Sequence, residues 1–201
     1  MIIWTLPANV FEKGLVAFLN GAARFDQTDE PITIDFLLVT YWIPAPIVYL
    51  CAIVNRWVGN QRPVWFVNHA NCKAFQYLQR IDFFESVGLR LPENFQRHAP
   101  GLDFVEIAVV PDGPARQVDL LSQRLAGCLS GNQPELDDVR QLAEFSLGEI
   151  IANVQQHAGA SGFCSAQFVS KHDWARLVWQ TRERVCSPVF ATLFHLSISR
   201  I

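Results

Sequence analysis

The chain is predicted to be an α/β protein by three observations. Apolar runs of strand type alternate with segments of helical periodicity. Half of the 201 residues are hydrophobic, enough for a substantial core. A polar break at Ser130–Pro134 (Ser-Gly-Asn-Gln-Pro) divides the chain into residues 1–130 and 134–201.

The elements follow in order. Met1–Leu6 reads as a short apolar strand, and Asn9 is expected to cap a helix carrying Val10, Phe11, Leu15, Phe18 and Leu19 near one face. Asp26–Pro31 is a polar loop, after which Ile32, Ile34 and Phe36 begin a second strand. The segment following Pro46 reads as a buried helix ending near Gly59. The unit then repeats, with Pro63–Val67 as a strand and Asn71–Gly88 as a helix bearing Phe75, Leu78, Ile81, Phe84 and Val87 at helical spacing. Beyond the polar stretch Arg90–Gly101, Phe104–Val110 is a strand, Pro111–Gly113 a turn and Gln117–Leu129 a helix. Pro134 sits at a helix start, with Glu135, Asp137 and Asp138 in the first turn, where the helix dipole favours negative charge. That helix is expected to run to about Ala158 and to stop at Gly159, before a strand over Gly162–Val169.

Composition narrows the function classes. A net charge of -3 without any Lys/Arg run gives no electrostatic footprint for nucleic acid or an anionic membrane. Five widely spaced cysteines with no C-x-x-C pair suggest neither a disulfide framework nor a zinc site, and fit a reducing cytoplasm. No secretory signal is evident, since Glu12 and Lys13 interrupt the early apolar residues. Phe36–Asn55 is 20 residues without a charge, long enough for a membrane anchor by hydropathy alone. Pro44 and Pro46 in its middle, and the β-rich character of its first half, favour a strand, a turn and a buried helix instead.

Chemistry concentrates in the long helix. Glu149, Asn153 and His157 are four residues apart, so they form one stripe that turns only about 80° in total. Ala143, Leu147, Ile150 and Val154 form an apolar stripe beside it, which would set the polar groups at the border of a core or cleft. A plain solvated flank is the alternative for such a stripe.

The phrase Gly148-Glu149-Ile150-Ile151-Ala152-Asn153-Val154-Gln155-Gln156-His157, followed by Gly159–Gly162 and Phe163-Cys164-Ser165-Ala166-Gln167, resembles the N-box of GHKL (histidine-kinase-like) ATPases, in the form found in anti-sigma-factor serine kinases. The resemblance implies Glu149 as general base and Asn153 as ligand of the Mg²⁺ that bridges the phosphates of ATP, with His157 in a capping or phosphate-facing role. Mg²⁺ takes oxygen ligands and keeps several waters, so one amide oxygen plus phosphates is a normal site.

Residues 32–88, ending in Phe75-Gln76-Tyr77-Leu78-Gln79-Arg80-Ile81-Asp82-Phe83-Phe84, resemble the STAS-like regulatory domain often fused upstream of such ATPases. This implies a STAS-like domain over 1–130 and an incomplete GHKL α/β sandwich over 134–201. The turn that carries a phosphorylatable Ser or Thr in STAS antagonists here reads Tyr41-Trp42-Ile43-Pro44-Ala45-Pro46. Thr40 is the nearest hydroxyl, expected in a strand, and Phe83 and Phe84 read as core.

The family's D-x-G-x-G adenine box and glycine-rich lid have no counterpart in the chain as written. Trp174-Ala175-Arg176-Leu177-Val178-Trp179-Gln180-Thr181-Arg182-Glu183-Arg184 does not look like the expected strand and glycine-rich turn. Read across codon junctions, however, Trp179–Val185 can spell Ala-Asp-Thr-Gly-Glu-Gly in the shifted frame. A frameshift between about Val169 and Asp173 would make residues from about 170 to 201 a non-native tail. The apolar run of Val189, Phe190, Leu193, Phe194, Leu196 and Ile198 would then lack a partner, whereas an ordinary closing strand is the alternative. The expectation is a cytoplasmic signalling regulator with a protein partner, binding ATP and Mg²⁺ weakly or not at all. An active ATPase or serine kinase is the alternative, and a protein anchored in a membrane through 36–55 is a more distant one.

Overall fold

A computed structural model describes residues 1–97, 104–110, 115–130, 134–158, 162–169, 174–181 and 194–197. It has a mixed α/β architecture with, among the described residues, a three-stranded parallel sheet, a two-stranded parallel bridge and a four-stranded antiparallel sheet. In the N-terminal unit, β1 (Ile2–Thr5), β3 (Ile32–Asp35) and β5 (Val64–Val67) form a parallel sheet in that order, with Ile2 opposite Ile32 and Ile32 opposite Val64. Two helices make the crossovers, α1 (Glu12–Phe25) and α2 (Pro44–Gly59). A two-residue parallel bridge, β2 (Asn9–Val10) with β4 (Tyr41–Trp42), sits beyond the ends of β1 and β3. The inward row Trp4, Ile32 and Ile34 packs with Phe18, Leu19 and Ala22 of α1 and with nearly the whole of α2. The outward row, Ile3, Thr33 and Trp65, lies on the open face, a departure from the usual covering of parallel sheets on both sides.

The C-terminal half is an antiparallel sheet in the order β6-β7-β8-β9, formed by Phe104–Val109, Gly162–Val169, Trp174–Thr181 and Phe194–Ser197. Two helices, α5 (Ala115–Leu129) and α6 (Asp137–Ala158), pack on one face of it. Their core includes Leu121, Leu125, Leu147 and Ile151 against Cys164, Ala166, Leu177 and Trp179. The other face turns Phe163 and Val178 into the N-terminal core. α2 is therefore sandwiched between two sheets, touching β5 on one side and β7 and β8 on the other. β6, before the break expected at Ser130–Pro134, pairs with β7 after it, so elements from both sides of that break share one sheet.

This sandwich explains the uncharged stretch. A helix covered on all sides is apolar all round, and Ala45, Ile47, Val48, Leu50, Cys51, Ile53 and Val54 are all buried. The 36–55 segment is broken into the end of the β3 region, the β4 bridge and α2, and among the described residues no helix is long and apolar enough to cross a membrane. α2 begins at Pro44, three residues before the expected start at Ile47. Prolines are tolerated there because the first-turn N–H groups have no intrahelical acceptor.

Four further expectations are corrected. Asn9 does not cap α1: it lies in β2, and the N-cap is Phe11, without a side-chain bond. Thr40 lies just before β4 rather than in a strand. The helix expected over Asn71–Gly88 is a 3₁₀ turn (His69–Asn71) and two short helices, α3 (Phe75–Arg80) and α4 (Phe83–Ser86). It breaks because the Ile81 carbonyl accepts the Ile107 N–H of β6 (3.0 Å). Asp82 then takes a left-handed conformation (φ 61°) and its carboxylate meets Arg97 at 2.5 Å. Finally, the stretch from Trp174 does form a strand, because β8 is covered on both faces: Leu177 and Trp179 face α5 and α6, while Val178 faces the N-terminal core. The turn at Pro111–Gly113, the stop at Gly159 and the residues Val189, Phe190, Leu193 and Ile198 lie outside the described residues.

Candidate functional site

α6 is positioned by its two ends and its buried stripe. A 3₁₀ turn at Pro134–Leu136 leads into it, and Asp137 anchors the first turn by accepting from Arg140 Nε (3.0 Å) and Gln141 Nε2 (2.8 Å). The hydrogen bonds from Arg140 hold the Asp137 carboxyl below its usual range. Leu147 and Ile151 are buried against the sheet and α5, with Ala143 and Ile150 half-buried beside them. The deepest residue is Ile151, which the sequence reading had not placed in the apolar stripe. The fourth residue of that stripe, Val154, is on α6, with its side chain outside the described set.

Glu149 projects away from this buried stripe and is exposed. It stands on the wall of a cleft of about 600 Å³ between α5 and α6. α5 contributes Val118, Asp119 and Ser122, and α6 contributes Gln141, Glu144, Phe145, Gly148, Glu149 and Ala152. The two helices meet closely at Gly148, where an added Cβ would lie 3.7 Å from Ser122 Oγ. The Ser122 hydroxyl donates to the Val118 carbonyl (2.7 Å), so it is satisfied within its own helix. Asn153 and His157 lie on α6 one and two turns beyond Glu149, and their side chains lie outside the described residues. The fold thus gives Glu149 an open hollow and carries Asn153 on the same helix.

The electrostatic character of this cleft is acidic. Among the described residues its lining holds the carboxylates Asp119, Glu144 and Glu149, and no Lys or Arg. A polyanion alone would be repelled, and a phosphate chain would need a divalent cation as escort. Oxygen donors of the Glu149 and Asn153 kind suit Mg²⁺ rather than a soft metal. No group of three or more His, Cys, Asp or Glu side chains poised to hold a metal occurs among the described residues.

The cleft contains residues that sequence reasoning missed. Gln141 and Phe145 extend the four-residue period of Glu149, Asn153 and His157 toward the N-terminus of α6, a signal present in the spacing. Asp119 has no such signal, because it reaches the cleft only through the packing of α5 on α6. The junction expected to supply the adenine-reading Asp falls at the end of β8, whose eight residues contain no glycine and pair along the full length of β7, and the positions expected to supply the glycines, after Thr181, lie outside the described residues. Comparison of the chain with protein-family models, with curated proteins and with solved structures gave no match in any of the three.

Proposed function

We propose that the protein is a signalling regulator related to anti-sigma-factor-type ATP-binding proteins, with α6 as its N-box helix and a degenerate nucleotide site. The observation that carries this reading is the position of Glu149, exposed on the wall of a cleft of about 600 Å³ rather than packed against protein. Glu149 is the candidate general base and Asn153 the candidate Mg²⁺ ligand, with His157 beside the phosphates. Bound Mg²⁺ would neutralise phosphate charge next to three carboxylates that otherwise oppose it.

Degeneracy is supported by β8. Its backbone is committed to the ladder with β7 and its side chains from Arg176 to Gln180 are buried, and the sequence that follows, Thr181-Arg182-Glu183-Arg184-Val185, has no glycine to let a backbone approach a nucleotide closely. Without positioning, phosphoryl transfer has little to act on. In the N-terminal unit, the Thr40 hydroxyl lies 3.0 Å from the Ala8 carbonyl and 2.7 Å from Asn9 Oδ1. That structural engagement argues against a phosphorylation switch at Thr40.

The alternative, an active Mg-ATP-dependent ATPase or serine kinase, is favoured by the same exposed carboxylate. Thermal-shift measurement with Mg-ATP separates them. The degenerate site predicts an unchanged melting temperature for this chain. A saturable rise, lost in Glu149→Ala and Asn153→Ala variants that keep the native circular dichroism spectrum, would establish the enzyme instead. Reading the coding DNA around codon 170, and repeating the titration on a chain with the shifted frame restored, tests whether the D-x-G-x-G box belongs to this gene.

A further inference from the structure

We infer that two copies of this chain associate through the β1 edge of the parallel sheet. The two β1 strands run antiparallel about a two-fold axis at Trp4, and α1 packs on its counterpart beside them. This association is independent of whether Mg-ATP binds.

β1 is an outer strand of the β1-β3-β5 sheet, and among the described residues no strand pairs with its other side. The N–H groups of Ile2 and Leu6 donate to the carbonyls of Pro31 (2.9 Å) and Asp35 (3.0 Å). Backbone groups alternate in direction along a strand, so the N–H and C=O of Ile3 and Thr5 point away from β3. Ile3 is 61% exposed, and Thr5 is exposed as well. An open edge of this kind is ordinarily blunted by a charge, a proline or a bulge. Ile2-Ile3-Trp4-Thr5 has none of these, and its register with β3 is regular. An antiparallel copy sets Ile3 opposite Thr5 of the second chain, and the reverse, which satisfies every outward group of both strands.

α1 supplies the neighbouring contact. Its Phe18 and Phe25 stack on Trp4 (ring centroids 5.7 and 5.0 Å), while Glu12 on another flank pairs with Arg176 of β8. The flank turned away from β8 lies over the β1 edge and carries Gly14, Ala17 and Gly21, at intervals of three and four and within about 60° of one another. A Cβ added at Gly14 or Gly21 would meet nothing within 4 Å. Both glycines weaken the helix relative to alanine without serving any packing inside the chain. They leave room for a second helix to approach closely.

Charge and size select a second copy as the occupant. An axis through Trp4 passes α1 near Gly21, between Phe18 and Phe25. Lys13, about 12 Å before Gly21 along the helix, then faces the turn at 26–30 of the other copy, where Asp29 is exposed. Symmetry makes that contact twice. An extended peptide of another protein would satisfy the edge but leave the glycine flank and Lys13 unmatched. The α1 flank is a strip about 21 Å long and about 10 Å wide, well below the ~800 Å² per partner of a standard interface, so the dimer dissociates at micromolar concentration.

Sedimentation equilibrium of the full chain, from about 1 to about 500 μM, tests this. The mass should rise with concentration from 22.7 kDa toward twice that value. Thr5→Pro removes an outward N–H that the single chain does not use. It should leave a monomer at every concentration with the native circular dichroism spectrum. Gly21→Arg should weaken the dimer by about tenfold or more, through bulk and like charge at the axis, while raising the melting temperature of the monomer. Lys13→Glu and Asp29→Lys should each weaken it by about tenfold, because the pair occurs twice, and the two together should restore it. A mass of 22.7 kDa throughout would overturn the inference, whether or not the chain then takes up a labelled extended peptide. So would a dimer indifferent to Gly21→Arg, or a charge-swapped double variant no tighter than the single ones. Those two outcomes decide the matter even if Thr5→Pro fails to fold.

Discussion

At the scale of single residues, burial decides which side chains are available for chemistry. Cys164 lies in β7 with its thiol enclosed between α5, α6 and the sheet, and desolvation pushes its pKa up to about 12. The folded protein therefore keeps this proton across pH 9 to 12, while the unfolded chain, with an ordinary thiol near 9, releases it. Stability should fall as pH rises through that window, and the native thiol should resist alkylation. Reaction with a chromogenic disulfide at pH 9, with and without denaturant, checks this: Cys51, Cys72, Cys128 and Cys164, all buried, should react only after unfolding. Glu149 is the opposite case, an exposed carboxylate on a cleft wall. Its stripe was legible because four-residue spacing on a helix keeps side chains in line. Asp119 was not, since its place in the cleft depends on the packing of two helices and leaves no local trace.

Among the elements, legibility tracks whether a segment's own periodicity or a tertiary neighbour sets its form. β1, β3, β5, β6 and β7 and the helices α5 and α6 fall close to where hydrophobic pattern and turn residues place them. The break between α3 and α4 was hidden, because Ile107 of β6 takes the carbonyl that would have continued the helix. β8 was hidden too: covered on both faces, it shows no alternation of apolar and polar residues to mark it as a strand. The end of α2 shows a related effect. α2 ends at Gly59, where the sequence places its stop, but the left-handed residue is Gln61 (φ 63°), two positions later. Its N–H donates to Val58 (2.9 Å) and the Arg62 N–H to Trp57 (2.9 Å), the bonding pattern of a Schellman motif with glutamine where glycine is favoured. Gln61 is exposed, so Gln61→Gly should remove backbone strain without loss of packing. A gain of about 0.5–1 kcal/mol is expected, read as a melting temperature higher by about 2–3 °C.

For the whole molecule, the consequential feature is that the two halves are not independent layers. α2 supplies core to both sheets, and Phe163 and Val178 of the antiparallel sheet enter the N-terminal core. Neither fact could be read locally: Phe36–Asn55 announces burial on all sides, but not that β7 and β8, far along the chain, provide part of the cover. A polar clasp between side chains reinforces this junction. Arg176 of β8, its side chain 10% exposed, pairs with Glu12 at the start of α1, 41% exposed. Desolvating the guanidinium is costly unless a carboxylate remains opposite it, whereas a matched apolar replacement of the pair is often neutral. Glu12→Gln should therefore lower stability by about 1–2 kcal/mol, less than for a fully buried pair because Glu12 is partly hydrated. Arg176→Met added to Glu12→Gln should recover most of that loss. Denaturant unfolding followed in parallel by tryptophan fluorescence and far-ultraviolet circular dichroism measures both quantities. If α2 and the clasp bind the halves into one cooperative unit, the two signals coincide in every variant. Separate transitions, or a double variant no more stable than Glu12→Gln alone, would mean that β8 is an appendage rather than part of the shared core.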